Sequence, residues 1–195
     1  MKKIFLIAIA ILGLLNVNAQ NKGDFEFGGN AGVSFSNISI ILNGFNYSTN
    51  FTTGISGEYY FSDRWGVKAK LIYDPKGWGN GFIDEIFFED VTVTDFTLHY
   101  ITMPIMANWH FGSERNWYIN LGMYMGFLID AKAYINDVDV SNPIDKIEFG
   151  IAAGIGYKFS VSERTKLFFE IDTQHETKGI GKERLAINFG VLFTL

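Results

Sequence analysis

Leu185-Ala186-Ile187-Asn188-Phe189-Gly190-Val191-Leu192-Phe193-Thr194-Leu195 closes the 195-residue chain, and its period of two decides how the rest is read. In an extended strand Leu185, Ile187, Phe189, Val191, Phe193 and Leu195 share one face. Ala186, Asn188, Gly190, Leu192 and Thr194 share the other. Working back from this end, residues 25–35, 51–61, 64–74, 97–111, 117–130, 147–159 and 166–175 repeat the pattern. With 185–195 they make eight predicted strands, and in all eight the odd-numbered residues carry the apolar face.

The spacers alternate in length. Ser62-Asp63, Gly112 to Asn116 and Ser160 to Thr165 are short polar turns, whereas 36–50, 75–96, 131–146 and 176–184 are longer and irregular. Short turns on one side and long loops on the other predict an all-β fold, an eight-stranded antiparallel up-and-down transmembrane β-barrel. An even strand number puts both termini on the short-turn side, the periplasm in an outer-membrane barrel.

Composition decides which face is outside. The even face carries Gly28, Gly32, Gly54, Gly66, Gly122, Gly126, Gly150, Gly154, Gly156 and Gly190. It also carries Glu26, Glu58, Lys68, Lys70, Glu148, Lys158, Glu170 and Asp172. Glycines on a water-exposed face would weaken strands for no packing gain. In a narrow lumen they let eight strands close, and the charges can pair; these eight are the expected lumen polar network. Aromatic placement agrees. Phe25, Phe27, Tyr59, Phe61, Trp65, Trp109, Phe111, Trp117, Tyr157, Phe159 and Phe193 are odd-numbered and lie at short-turn ends, as an interfacial girdle requires.

The leader fits export. Lys2 and Lys3 precede an apolar run, Ile4 to Leu15, that is shorter than the roughly 20 residues a membrane helix needs. Val17-Asn18-Ala19 comes next, so residues 1–19 read as a signal peptide cleaved after Ala19, and 20–195 as the barrel domain. Without Lys2 and Lys3, the 16 basic residues become 14 against 21 acidic ones, a net charge of −7. The absence of cysteine excludes a disulfide scaffold, an Fe–S cluster and a thiolate zinc site. With no basic run, nucleic-acid binding has no electrostatic footprint.

Several stretches resemble the outer-membrane β-barrel family typical of Bacteroidota, the PorT-like group. Gly28-Gly29-Asn30-Ala31-Gly32-Val33-Ser34-Phe35-Ser36-Asn37 resembles its glycine-rich first strand. Ile101-Thr102-Met103-Pro104-Ile105-Met106 and Leu121-Gly122-Met123-Tyr124-Met125-Gly126-Phe127 resemble central strands, and Gly150 to Phe159 a later glycine-rich one. Thr102 stands where an acid is common, and Met123 where proline is. The resemblance implies a barrel fold; some members are linked to secretion machinery, a role that fold alone does not transmit.

Candidate chemistry is sparse. Asp172, Gln174, His175 and Glu176 gather near the outer end of one strand, but parity sends Asp172 to the lumen and His175 outward. His99 and His110 read as interface residues that snorkel to water. The segment from Pro75 contains Trp78, Asp84, Glu85, Phe87 and Phe88, the candidate interaction surface for a partner; residues 86–94 can extend a hairpin above the membrane. Its acids lack EF-hand spacing, and Gly28 to Gly32 lacks a nucleotide-loop pattern.

The expected role is a non-enzymatic structural or interaction component of the outer membrane, without cofactor or metal. A narrow channel or transport accessory and a rim-located enzyme are the alternatives. Expected partners are outer-membrane lipids and lipopolysaccharide, the barrel assembly machinery during insertion, and a protein at the extracellular loops. Parity also sets one register: if Phe61 faces Trp65, Glu58 lies opposite Lys68 and Ser56 opposite Lys70. That predicts a Glu58–Lys68 ion pair, with Lys70 reaching Glu26 or Glu148.

Overall fold

Alternation becomes strand wherever one face meets lipid and the other a polar interior. The computed structural model describes residues 21–38, 46–83, 92–133, 138–139, 146–178 and 181–195. Its strands are β1 (Phe25–Ile38), β2 (Asn46–Tyr60), β3 (Trp65–Ile83), β4 (Thr92–Phe111) and β5 (Trp117–Ala133). They continue as β6 (Val138–Asp139), β7 (Ile147–Ser160), β8 (Thr165–Glu176) and β9 (Lys182–Thr194). The two-residue β6 only adds to the end of β5; the other eight are the staves. Each stave pairs antiparallel with its sequence neighbour, and β1 pairs with β9 to close an eight-stranded barrel. The leader, residues 1–19, lies outside the described residues.

Below the upper rim, opposed residues have the same parity in every stave pair, as in Phe27 opposite Phe193, Ser56 opposite Lys70 and Ile105 opposite Met123. One face therefore stays outward all the way round. Met123 is 75% exposed while its even neighbour Tyr124 is 2% exposed. In a soluble protein this would be inside out. In a bilayer the large apolar side chains are on the solvent side.

The even-face glycines permit the closure. A Cβ at Gly28 would run into the Val191 carbonyl oxygen, and one at Gly122 into that of Ile105. Only the missing side chain lets neighbouring backbones curve this tightly.

Three expectations are corrected. The long spacers are partly strand: β1–β2 pairing reaches Ser36 opposite Ser48, and β3–β4 pairing reaches Ile83 opposite Thr92. Trp78 is therefore a residue of β3, paired with Phe96, rather than of an irregular loop. Asp84, Glu85, Phe87 and Phe88 lie outside the described residues. The third correction is parity at the end of β5. The register shifts between His99 opposite Asp130 and Tyr100 opposite Leu128, so one residue bulges. Beyond it Asp130 is exposed and Ala131 is fully buried, because an extra residue rotates the remainder of the strand to the other face.

Outside, the aromatics form a belt. Trp65 contacts Trp109 at 6.3 Å between ring centres, Trp109 contacts Phe111 at 5.2 Å, and Phe111 contacts Trp117 at 6.3 Å. Trp117 meets Tyr157 edge-on at 4.9 Å, and Tyr157 reaches Phe159 at 4.6 Å.

Candidate functional site

Eight staves enclose room for side chains only, and here the even face fills it with ions. Seven acids (Glu26, Glu58, Asp74, Glu148, Glu170, Asp172, Glu176) and seven bases (Lys68, Lys70, Lys76, Lys158, Lys166, Lys182, Arg184) are buried among the described residues. They form three tiers along the barrel axis.

In the lowest tier, Glu26 accepts hydrogen bonds from Lys158 and Lys166 at 2.6 Å each, and from the Tyr60 hydroxyl at 2.9 Å. Glu58 accepts from Lys158 at 2.8 Å and from Asn108 at 2.7 Å, and lies 2.7 Å from His110 Nε2. In the middle, Glu170 binds Lys68 at 2.5 Å, Asn120 at 3.1 Å, and Lys70. Lys70 also reaches Asp172 at 3.2 Å, and Asn188 donates to Asp172 at 2.8 Å. Arg184 joins Asp172 to the upper tier, with its Nε 2.5 Å from Asp74. There Lys76 pairs with Glu148, and Lys182 lies 3.2 Å from Glu148 and 2.9 Å from Glu176. The Tyr118 ring connects the lower and middle tiers, lying 4.6 Å from the Lys68 ammonium and 5.4 Å from that of Lys158.

The predicted local pair does not form. Glu58 is opposite Lys68 in the ladder, yet Lys68 binds Glu170 and Glu58 binds Lys158. Nor does Lys70 reach Glu26 or Glu148; it binds Glu170 and Asp172. The reason is geometric. Opposed lumen side chains both point at the axis of a narrow tube, and long Lys and Glu stems extend to the far wall.

His110 corrects a second expectation. It is fully buried in the lumen rather than at the lipid interface, and its ring packs against Tyr60 and Tyr118. Asp74, Lys76, Lys166, Lys182 and Arg184 also join the network without having been singled out in the sequence, as does Glu176, which was grouped with His175 near the outer end of its strand and not with the lumen charges. All have even numbers. Lys166 and Asp74 lay inside predicted strands, and the others in segments read as loops.

The outward face carries its histidines and its first charged residues at the other end of the barrel. The Tyr73 hydroxyl is 2.7 Å from His99 Nδ1, and His99 is opposite Asp130. Half a turn round the barrel, His175 Nδ1 lies 3.2 Å from Glu183. Trp109 to His99, Thr165 to His175 and Phe193 to Glu183 each span ten residues. Ten residues are about 33 Å of strand, or about 25 Å of axis at a tilt of about 40°. That is the height of an outward apolar band. Among the described residues, no outward position between belt and row carries a charge.

Asp172 and His175 do not meet, as parity requires; the partner of His175 is Glu183, from the neighbouring strand. The nearby Thr173 hydroxyl donates to the Arg184 carbonyl at 3.0 Å. No group of three or more His, Asp or Glu side chains suited to a metal ion occurs among the described residues.

A closed sheet with a charged interior, an apolar exterior of membrane height and an aromatic belt defines a transmembrane barrel of outer-membrane type. The chain belongs to the outer membrane protein beta-barrel domain family, whose model matches residues 18–175. It is an outer-membrane protein with the barrel's N- and C-terminal ends at the periplasmic side. Solved structures share the fold. OprG of Pseudomonas aeruginosa superposes with a TM-score of 0.58 at 14% identity, over 92% of this chain and 99% of that one. Neisserial surface protein A gives 0.55 at 15% identity, over 88% and 99%. Ail, the attachment invasion locus protein of Yersinia pestis, gives 0.54 at 12%, over 89% and 99%. No curated protein matches the chain.

Proposed function

We propose that this protein is a sealed barrel that holds an extracellular surface at the outer membrane for a protein partner, and neither conducts nor catalyses. The observation that carries the reading is the lumen of seven acids matched by seven bases. A selective pore uses rings of one sign and a path between them; here each ammonium is held by carboxylates.

Charge balance supports an interaction surface at the extracellular end. The periplasmic end is balanced, with Asp24, Asp63, Glu114 and Glu163 against Lys22, Arg64, Arg115 and Arg164. Of the 21 acids and 14 bases left without the leader, seven of each are in the lumen and four of each at that end. Ten acids and three bases remain, in the extracellular segments and rim. On this reading the net charge of −7 that remains without the leader belongs to the extracellular end. Trp78, Asp84, Glu85, Phe87 and Phe88 combine that charge with apolar side chains, so the partner surface is basic with apolar sockets.

The finer reading is part of the same proposal. Removal of residues 1–19, insertion by the barrel assembly machinery and membership of the PorT-like group of Bacteroidota rest on the leader and on the Gly28–Asn37 and Ile101–Met106 patterns. Planar-bilayer recording of the purified protein tests the sealed lumen. The expected trace shows no conductance steps; a reproducible ohmic step would overturn the reading.

A further inference from the structure

A cavity of about 530 Å³ lies at the upper edge of the apolar band, across β1, β2, β8 and β9. Its lining includes Phe35, Tyr47 and Leu185 on the apolar side and Thr173, His175 and Glu183 on the polar side. All six are odd-numbered, so the cavity opens on the outer wall; Gln174 and Arg184 behind it have their side chains buried in the lumen. Such a volume lies within the range of about 300–1,000 Å³ usual for small-molecule sites.

Three features indicate the occupant. The wall faces lipid, so the medium around the groove is acyl chain. Tyr47 is 70% exposed and lines the groove together with Phe35 and Leu185. Finally, the groove ends at the height where headgroups begin, and there it presents the His175–Glu183 pair at 3.2 Å, with exposed Lys178 three residues beyond His175. The groove is at the extracellular end of the barrel, so it meets the outer leaflet, and its polar end offers a cation and a carboxylate side by side. A phosphorylated aminosugar has use for both: phosphate for Lys178 and His175, and sugar hydroxyl or amide N–H for Glu183.

We propose that this groove seats one acyl chain of lipopolysaccharide, with the phosphorylated sugar of its lipid A moiety against His175, Glu183 and Lys178. The inference rests on the outer-membrane placement of the chain and deepens it by naming one lipid and one seat. It does not depend on the loop partner or the sealed lumen.

The test is native mass spectrometry of the purified barrel in detergent, titrated with lipid A and, separately, with phosphatidylglycerol. One lipid A per barrel is expected, at least tenfold tighter than phosphatidylglycerol. Leu185→Trp, which fills the groove, should weaken lipid A binding at least tenfold. Glu183→Gln should weaken it several-fold, and Ile155→Trp, on the lipid face of β7 away from the groove, should leave it unchanged. Folding of each variant is checked by its heat-dependent gel shift. If Leu185→Trp does not fold, Thr173→Phe closes the groove from β8. Equal binding of the two lipids, or binding indifferent to the filled groove, would overturn the proposal and leave only annular lipid. Whole-cell labelling of a Lys178→Cys variant reports outer-membrane placement separately, so a correctly placed barrel without lipid A preference counts against the groove alone.

Discussion

Glu58 shows what a buried charge does when its ladder neighbour is not its partner. It is 3% exposed and holds Lys158, Asn108 and His110 together. Glu58→Ala should destabilise the barrel by about 3–5 kcal/mol, because Lys158 then has only one carboxylate and His110 has none. Equilibrium unfolding in lipid vesicles measures it. A double-mutant cycle separates proximity in the ladder from partnership across the lumen. Lys68 with Glu170 should show a coupling of at least about 1 kcal/mol, and Lys68 with Glu58 less than half of that. Equal couplings would mean that the pairing is local, as the register alone suggests.

Along a strand, the cost of a substitution depends on face and on depth. Met123 lies outward near mid-height, between Trp117 of the belt and the upper rim. Met123→Arg should cost about 2–4 kcal/mol, whereas Ile147→Arg, ten residues above Tyr157, should cost about 0–1 kcal/mol. The inward face of the same strand responds to volume instead. Gly122→Ala places a methyl against the Ile105 carbonyl oxygen, and overpacking of this kind costs about 1–3 kcal/mol. Unfolding titrations of the three variants give the ordering. A Gly122→Ala barrel as stable as the parent would refute the close-approach account of the even-face glycines.

For the whole molecule the prediction is orientation. Cysteine at Lys178, between β8 and β9, should react with an impermeant reagent on intact cells, and cysteine at Ser113, in the β4–β5 turn, should not. The chain has no native cysteine to confuse the readout. The reverse pattern would invert the barrel and move its acidic end into the periplasm.

Strand number, antiparallel order, the lipid-facing parity and the aromatic belt were legible in the chain. They come from a period of two, and side-chain direction in a strand is a local property. Eight of the fourteen lumen charges were named from the chain; parity also marks Lys166 and Asp74, which were not named. Strand ends were not: Trp78, Lys182 and Arg184 stand in polar, glycine-bearing stretches whose local preference is turn. They are strand because a neighbouring stave carries on upward and satisfies their backbone. The bulge at the end of β5, which turns Asp130 out to face His99, left no mark in the local pattern either. Above all, the partners were decided only by closure. Local register sets Glu58 opposite Lys68, but a tube of eight tilted staves brings Lys158 and Glu170, about a hundred residues away, nearer to the ends of those side chains. Below the bulge, the period of two in the sequence determined which strand face points inward, and the curvature of the closed sheet decided which residues on it meet.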